Sequence, residues 1–157
     1  SAGGVKLVGW AFLGLLVLQI VYGAFVAGLD AGYTYNTWPD MDGALLPLDA
    51  FAGDTLAARL FDDGGTVQFL HRMLAYVVLA AALVVAWYVP RNLPDAAGSN
   101  LAVALFFVVL GQAVIGISAL LNVVPVWLGA LHQGWAVVVL GVTIALLHRL
   151  KVARVWA

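Results

Sequence analysis

The chain of 157 residues contains neither cysteine nor glutamate. Without cysteine, disulfides, zinc–thiolate sites, iron–sulfur clusters and covalent c-type haem attachment are excluded together, and the redox compartment is left unread. Charge is scarce as well. Charged residues make up 10% of the chain, against roughly 25% in soluble domains. The formal net charge is −1, so no basic patch points to nucleic acid. What is abundant is apolar: 64% of residues are hydrophobic and the mean hydropathy is +1.04. A soluble chain of this length needs far more charge to cover its surface, which leaves an integral membrane protein. At roughly 20 residues per span, there is room for four helices and their loops.

Four apolar segments run from about Val5 to Leu29, Thr66 to Val89, Asn100 to Asn122 and Val126 to Leu150. Each is long enough to cross the hydrocarbon with its backbone hydrogen bonds closed internally. Pro90, Pro94 and Pro125 are expected between segments, where a missing N–H costs little. The first segment lacks a basic n-region and a cleavage site, so it reads as a true span. The chain opens Ser-Ala-Gly-Gly without methionine, and a piece of something longer is the expectation.

Lys6, Arg91, Arg149, Lys151 and Arg154 fall on one side of these spans, and only Arg59 and Arg72 on the other. The positive-inside rule then puts both termini and the Pro90–Ser99 turn in the cytoplasm, or the matrix of a mitochondrion. The loop from Asp30 to Gly65 lies outside. It carries Asp30, Asp40, Asp42, Asp49, Asp54, Asp62 and Asp63, which fits this orientation without driving it.

The sequence repeats. Gln19-Ile-Val-Tyr-Gly23 in the first span matches Gln112-Ala-Val-Ile-Gly116 in the third. His71-Arg-Met-Leu-Ala75 in the second matches His132-Gln-Gly-Trp-Ala136 in the fourth. Two such hairpins predict an all-α fold: one domain over 1–157, an antiparallel four-helix bundle with a pseudo-twofold axis.

His71 and His132 each lie roughly 8–10 Å below the outer end of their span at 1.5 Å per residue. They therefore reach the same level of the membrane. A histidine inside a span is by default a functional hypothesis, and two at one depth on repeat-related helices point to a shared ligand. Haem fits better than a bare metal ion, because two neutral imidazoles supply both axial positions and the porphyrin supplies the rest. A bare zinc or copper site wants further ligands. The neighbours Ala75, Gly129 and Ala136 are small and leave a slot for a macrocycle. Arg72, beside His71, is placed to pair with haem propionates, although a snorkelling arginine needs no partner. Interhelical hydrogen bonding is the plain alternative for the histidines, and the first explanation for Gln19 and Gln112. Gly23, Gly28, Gly116, Ala24 and Ala27 read as packing positions. His148, beside Arg149 and Lys151, reads as a solvated interfacial residue.

In the outer loop, Asp-Gly, Trp-Pro and Gly-Gly steps mark turns. Tyr33, Tyr35 and Trp38 suit the membrane interface, or a folded lid over a haem edge. Asp40-Met41-Asp42-Gly43 lacks the remaining ligands of a calcium loop, and calcium is rejected.

The stretches GAFVAGLDAGYTYNTWPDMDG, VQFLHR and QAVIGISALLNVVPVWLGALHQ resemble the C-terminal half of haem A synthase, closest to its mitochondrial and proteobacterial branch. The likeness runs from Gln19 to about Trp135. It implies an oxidoreductase of eight spans in two similar halves, in which a methyl group of haem O becomes the formyl group of haem A for cytochrome oxidase. The second half holds haem b through a histidine pair, here His71 and His132. It is expected to accept electrons from a donor and pass them to a substrate haem in the first half. In the substrate half a glutamate stands three residues before the first histidine. Here that position is Gln68, which argues for the cofactor half. The implied partners are an N-terminal half of the same enzyme, or a second copy in a homo-oligomer, together with haem O and the lipid membrane. The implied location is a bacterial plasma membrane or the mitochondrial inner membrane. A stand-alone membrane b cytochrome and a haem-free scaffold remain as alternatives.

Overall fold

The computed structural model describes residues 2–47, 50–51 and 53–152. Asp49 and Arg154, both used in reading the orientation, lie outside the described residues. The fold is four long helices: α1 (Ala2–Gly28), α2 (Gly64–Asn92), α3 (Ala96–Leu121) and α4 (Val126–Val152). All four are long and apolar enough to cross a membrane, and they make this an all-α membrane bundle.

Helix ends follow local chemistry. The Asp63 side chain accepts from Thr66 N at 2.7 Å and so caps α2, and Asp95 accepts from Gly98 N at 3.0 Å to cap α3. Each carboxylate satisfies an amide that has no carbonyl one turn back. One expectation is corrected: Pro90 lies inside α2, and the inner turn shrinks to Leu93–Asp95. The missing N–H is tolerated because it falls in the last turn. There Arg91 Nη1 donates to Trp87 O at 2.8 Å and Asn92 Nδ2 donates to Tyr88 O at 2.9 Å. Both side chains add to carbonyls beside that of Ala86, whose helical donor would have been the N–H that Pro90 lacks.

Short turns make α2, α3 and α4 antiparallel neighbours. Gly9 of α1 approaches Leu147 and Leu150 at the far end of α4, which closes the ring as α1–α2–α3–α4. The histidine-bearing helices α2 and α4 therefore stand diagonally across the bundle.

The buried core repeats with the hairpins. Phe12 and Leu16 of α1 match Leu105 and Val109 of α3, each 93 positions later. Val78, Val85 and Val89 of α2 match Val139, Leu146 and Leu150 of α4, each 61 positions later. Ala82 and Thr143, also 61 apart, are both buried. This core fills only the end of the bundle that carries the termini. On α1 and α3 it stops at Leu16 and Val109, three residues before Gln19 and Gln112. On α2 and α4 it begins at Val78 and Val139, seven residues after His71 and His132. The packed apolar layer ends where the polar repeat begins.

Candidate functional site

His71 follows the first residue of α2 (Gly64) by seven positions, and His132 follows the first of α4 (Val126) by six. At 1.5 Å per residue the depths differ by about one rise. Both imidazoles sit directly outward of the packed core, at one level, on diagonal helices.

Each is held by the preceding helix through the same pair of residues. Gln19 Nε2 donates to His71 O at 3.1 Å and lies 3.2 Å from His71 Nδ1. Gln112 Nε2 donates to His132 O at 3.0 Å and lies 3.5 Å from His132 Nε2. One turn further along, Gly23 and Gly116 meet the rings themselves. A Cβ at Gly23 would stand 3.1 Å from His71 Cε1, and one at Gly116 only 2.7 Å from His132 Cε1. The i, i+4 spacing puts glutamine and glycine on one helix face, so the repeat read in sequence is a cradle for an imidazole, built twice.

The level is also marked by unmet polar atoms. Gln19 Oε1, Gln112 Oε1, His132 Nδ1 and Arg72 Nε are buried without a hydrogen-bond partner. Buried polar groups in a protein are nearly always paired, so four at one layer point to a polar guest. Among the described residues no three His or Asp side chains converge as a bare-metal site would require. Two imidazoles and no third ligand suit a group that brings its own equatorial donors.

Arg72 is more committed than its sequence position conveys. Its Nη1 donates to Thr37 O at 2.9 Å and Asp40 O at 3.0 Å, and its Nη2 to Tyr35 O at 3.0 Å and Gln68 Oε1 at 3.2 Å. Only Nε–H is left over. Gln68, also buried, donates from Nε2 to Ala31 O at 2.8 Å and Tyr35 O at 3.1 Å. Together these side chains clasp the start of the outer loop to α2. Asn36 extends the stitch by donating to Leu120 O at 3.0 Å on α3, and Trp38 Nε1 donates to Tyr76 Oη at 3.0 Å. The loop segment from Ala31 to Asp40 thus lies across the outer end of the bundle between the hairpins. Trp38–Pro39 is a cis peptide. Asn36 was not legible as a site residue, because its partners are backbone carbonyls that no sequence pattern marks, and Gln68 drew notice only as the place of a missing glutamate.

The clasp breaks the repeat. The positions 61 residues after Gln68 and Arg72 are Gly129 and an exposed Gln133, beside an outer turn too short to need holding. His148 is exposed at the inner end of α4, away from the cradles. Gly28 meets nothing within 4 Å.

Fold and site together define a membrane four-helix bundle with two mirrored intramembrane imidazole cradles. Residues 1–144 match the family described as cytochrome oxidase assembly protein, COX15-CtaA, and the chain belongs to that family. It is 47% identical over 135 residues to the haem A synthase of Allorhizobium ampelinum, covering 86% of this chain and 37% of that protein. It is 48% identical over 132 residues to that of Sinorhizobium medicae, covering 82% and 35%. With that of Brucella anthropi the identity is 44% over 140 residues, covering 89% and 39%. The chain therefore spans a little over a third of the length of the relatives it matches. No solved structure matches it.

Proposed function

We propose that this chain is the b-haem-binding half of a haem A synthase, an oxidoreductase that converts the methyl group of haem O into the formyl group of haem A. His71 and His132 would hold the haem iron, and residues 1–157 form one haem-binding unit. The observation that carries this reading is the doubled cradle. Two imidazoles stand at equal depth just outside the packed core, with orphaned polar atoms around them. When bound, haem b supplies one-electron transfer. The chain's own part is to hold the iron between neutral imidazoles, to exclude water from one side with the Leu16–Val78–Val109–Val139 layer, and to cover the outer side with the clasped loop.

Arg72 contributes its remaining Nε–H to a propionate while its other donors hold the loop. Gln68 cannot serve as the acid of a substrate site, because a carboxamide does not ionise; its amide hydrogens are given to carbonyls and its oxygen accepts from Arg72. That supports a cofactor half, with haem O bound elsewhere, in the rest of a longer chain or in a second copy. A bound haem would supply one-electron transfer between a donor and that site. Both termini face the cytoplasm or matrix, since the inner end gathers Lys6, Arg91, Arg149 and Lys151.

The test is conversion of haem O in cells lacking their own haem A synthase, with this chain expressed alone and joined to a glutamate-bearing first half from a relative. Haem A in the joined arm, abolished by His71→Ala, is the expected result. No haem A in either arm, with a normal b-type spectrum, reduces the role to that of a membrane b cytochrome.

A further inference from the structure

The two hairpins meet along two seams, α2–α3 and α1–α4, which the pseudo-twofold axis makes equivalent. They are not closed alike. On α1, Gly9, Ile20 and Ala27 lie on one face, within about 20° of each other at about 100° per residue, and Gly9 is the residue that approaches α4. Their counterparts on α3, 93 positions later, are Ala102, Ala113 and Leu120. Gly9 and Ala102, at the inner ends of the two seams, are both buried. Further out, Ala113 and Leu120 stay half-buried, whereas Ile20 is 38% exposed and Ala27 is exposed. The opposite walls differ in the same way. Gln68 and Arg72 of α2 are buried, and their counterparts on α4 are a half-buried Gly129 and an exposed Gln133. The α1–α4 seam is thus closed in its inner half and open from the histidine level outward.

Every other way to the histidines is shut. Gln19 and Gln112 tie each hairpin together at the level of the rings, and the packed core fills the inner end. The loop covers the outer end and the α2–α3 seam. Lifting it would break the five hydrogen bonds that Arg72 and Gln68 give to its carbonyls and the one from Asn36 to Leu120 O. Among the described residues no hydrogen bond spans the outer half of the α1–α4 seam. Two helices with their backbone bonds closed internally can part there in hydrocarbon without baring a polar group of the main chain.

We propose that the outer half of the α1–α4 seam is a lateral portal through which haem passes between the bilayer and the place between His71 and His132. The route suits a flat, largely apolar plate and leaves the loop clasped. The inner half, where Gly9 lets α1 lie against Leu147 and Leu150, is the fixed end about which the seam widens. The inference rests on the haem reading above and adds to it the path of loading.

Haem exchange by the full chain in lipid vesicles tests this, with uptake from haem-loaded donor vesicles and release to an excess of a haem-scavenging protein, both followed by the b-type absorbance. Ala27→Trp sets an indole across the open seam. Uptake and release are expected to slow alike, by about tenfold or more, with affinity unchanged, because a barrier on a shared path scales both rates equally. A second variant pairs Ala24→Cys with Gln133→Cys. Counted outward from the contact of Gly9 with Leu147, these lie fifteen and fourteen residues along antiparallel helices and so at one level. Joined by a bis-maleimide with a reducible spacer, the pair should lose exchange while the link holds and regain it on cleavage, which misfolding cannot imitate. Exchange at the wild-type rate in the linked protein overturns the inference while leaving the haem reading intact. So does faster exchange in Arg72→Lys with no slowing in Ala27→Trp, which routes haem beneath the loop. A wild-type chain that takes up no haem overturns both.

Discussion

Replacing Gly116 by alanine tests the cradle geometry through a single methyl group. The new Cβ would lie 2.7 Å from His132 Cε1, 3.2 Å from Nδ1 and 3.4 Å from Nε2. Carbon atoms prefer about 3.5–4.0 Å, so the ring or the helix must yield by roughly 1 Å. Retreat is hard, because Gln112 ties the His132 backbone to α3 and a short turn joins the two helices. Overpacking of this kind costs about 1–3 kcal/mol, offset by about 1 kcal/mol of helix propensity gained over glycine. Gly134→Ala is the control: on α4, with nothing within 4 Å, it keeps the propensity gain alone. The two variants are thus expected to differ by about 1–3 kcal/mol in thermal unfolding in detergent, with haem content lost only in Gly116→Ala. Gly23→Ala, whose nearest contact is 3.1 Å, falls between them. If Gly116→Ala melts with Gly134→Ala and keeps a wild-type haem spectrum, the close approach of α3 to the imidazole is refuted.

Arg72→Lys keeps the charge but cannot spread planar donors over the carbonyls of Tyr35, Thr37 and Asp40. A loss of about 1–3 kcal/mol and faster proteolysis within residues 30–46 are expected; wild-type cleavage rates would show that the clasp is not needed. At the inner end, burial raises the pKa of Asp95, but hydrogen bonds from Gly98 N and Arg149 outweigh it and hold the carboxyl below the usual carboxylate range. Its contribution is therefore present above the ordinary value of about 3.9 and is lost as pH falls through the depressed folded value. Asp95→Asn, which keeps a cap but removes the ion pair with Arg149, should lower the melting temperature at neutral pH, with its gap to the wild type closing in acid; a pH-independent gap contradicts the assignment. Because the chain has no cysteine, sidedness is open to single-cysteine labelling. An impermeant maleimide applied to intact cells should modify Leu46→Cys and spare Ala97→Cys, and the reverse pattern inverts the topology.

The spans were legible because hydropathy over 20 residues is a strong signal, and the cradle residues because polar side chains stand out in apolar helices. Helix limits were less so. Pro90 reads as a breaker, yet α2 runs two residues past it, because so near the helix end only the carbonyl of Ala86 loses its helical donor. The full extent of the repeat was hidden for another reason. Phe12 and Leu105, or Val85 and Leu146, are equivalent in packing, but every neighbour in a membrane helix is also apolar, so burial leaves no compositional trace. Arg72 shows the opposite limit. Its charge beside His71 drew attention to a propionate, whereas most of its donors serve the backbone of a loop more than thirty residues away in sequence.

The claim at the centre is that one b-type haem sits between His71 and His132. The most direct measurement is the haem-to-protein ratio and reduced-minus-oxidised spectrum of the purified chain, compared with His71→Ala and His132→Ala. One haem per chain with a low-spin b-type α-band, lost in either variant, is the predicted result. A wild-type chain without the band, or a variant that retains it unchanged, contradicts the account.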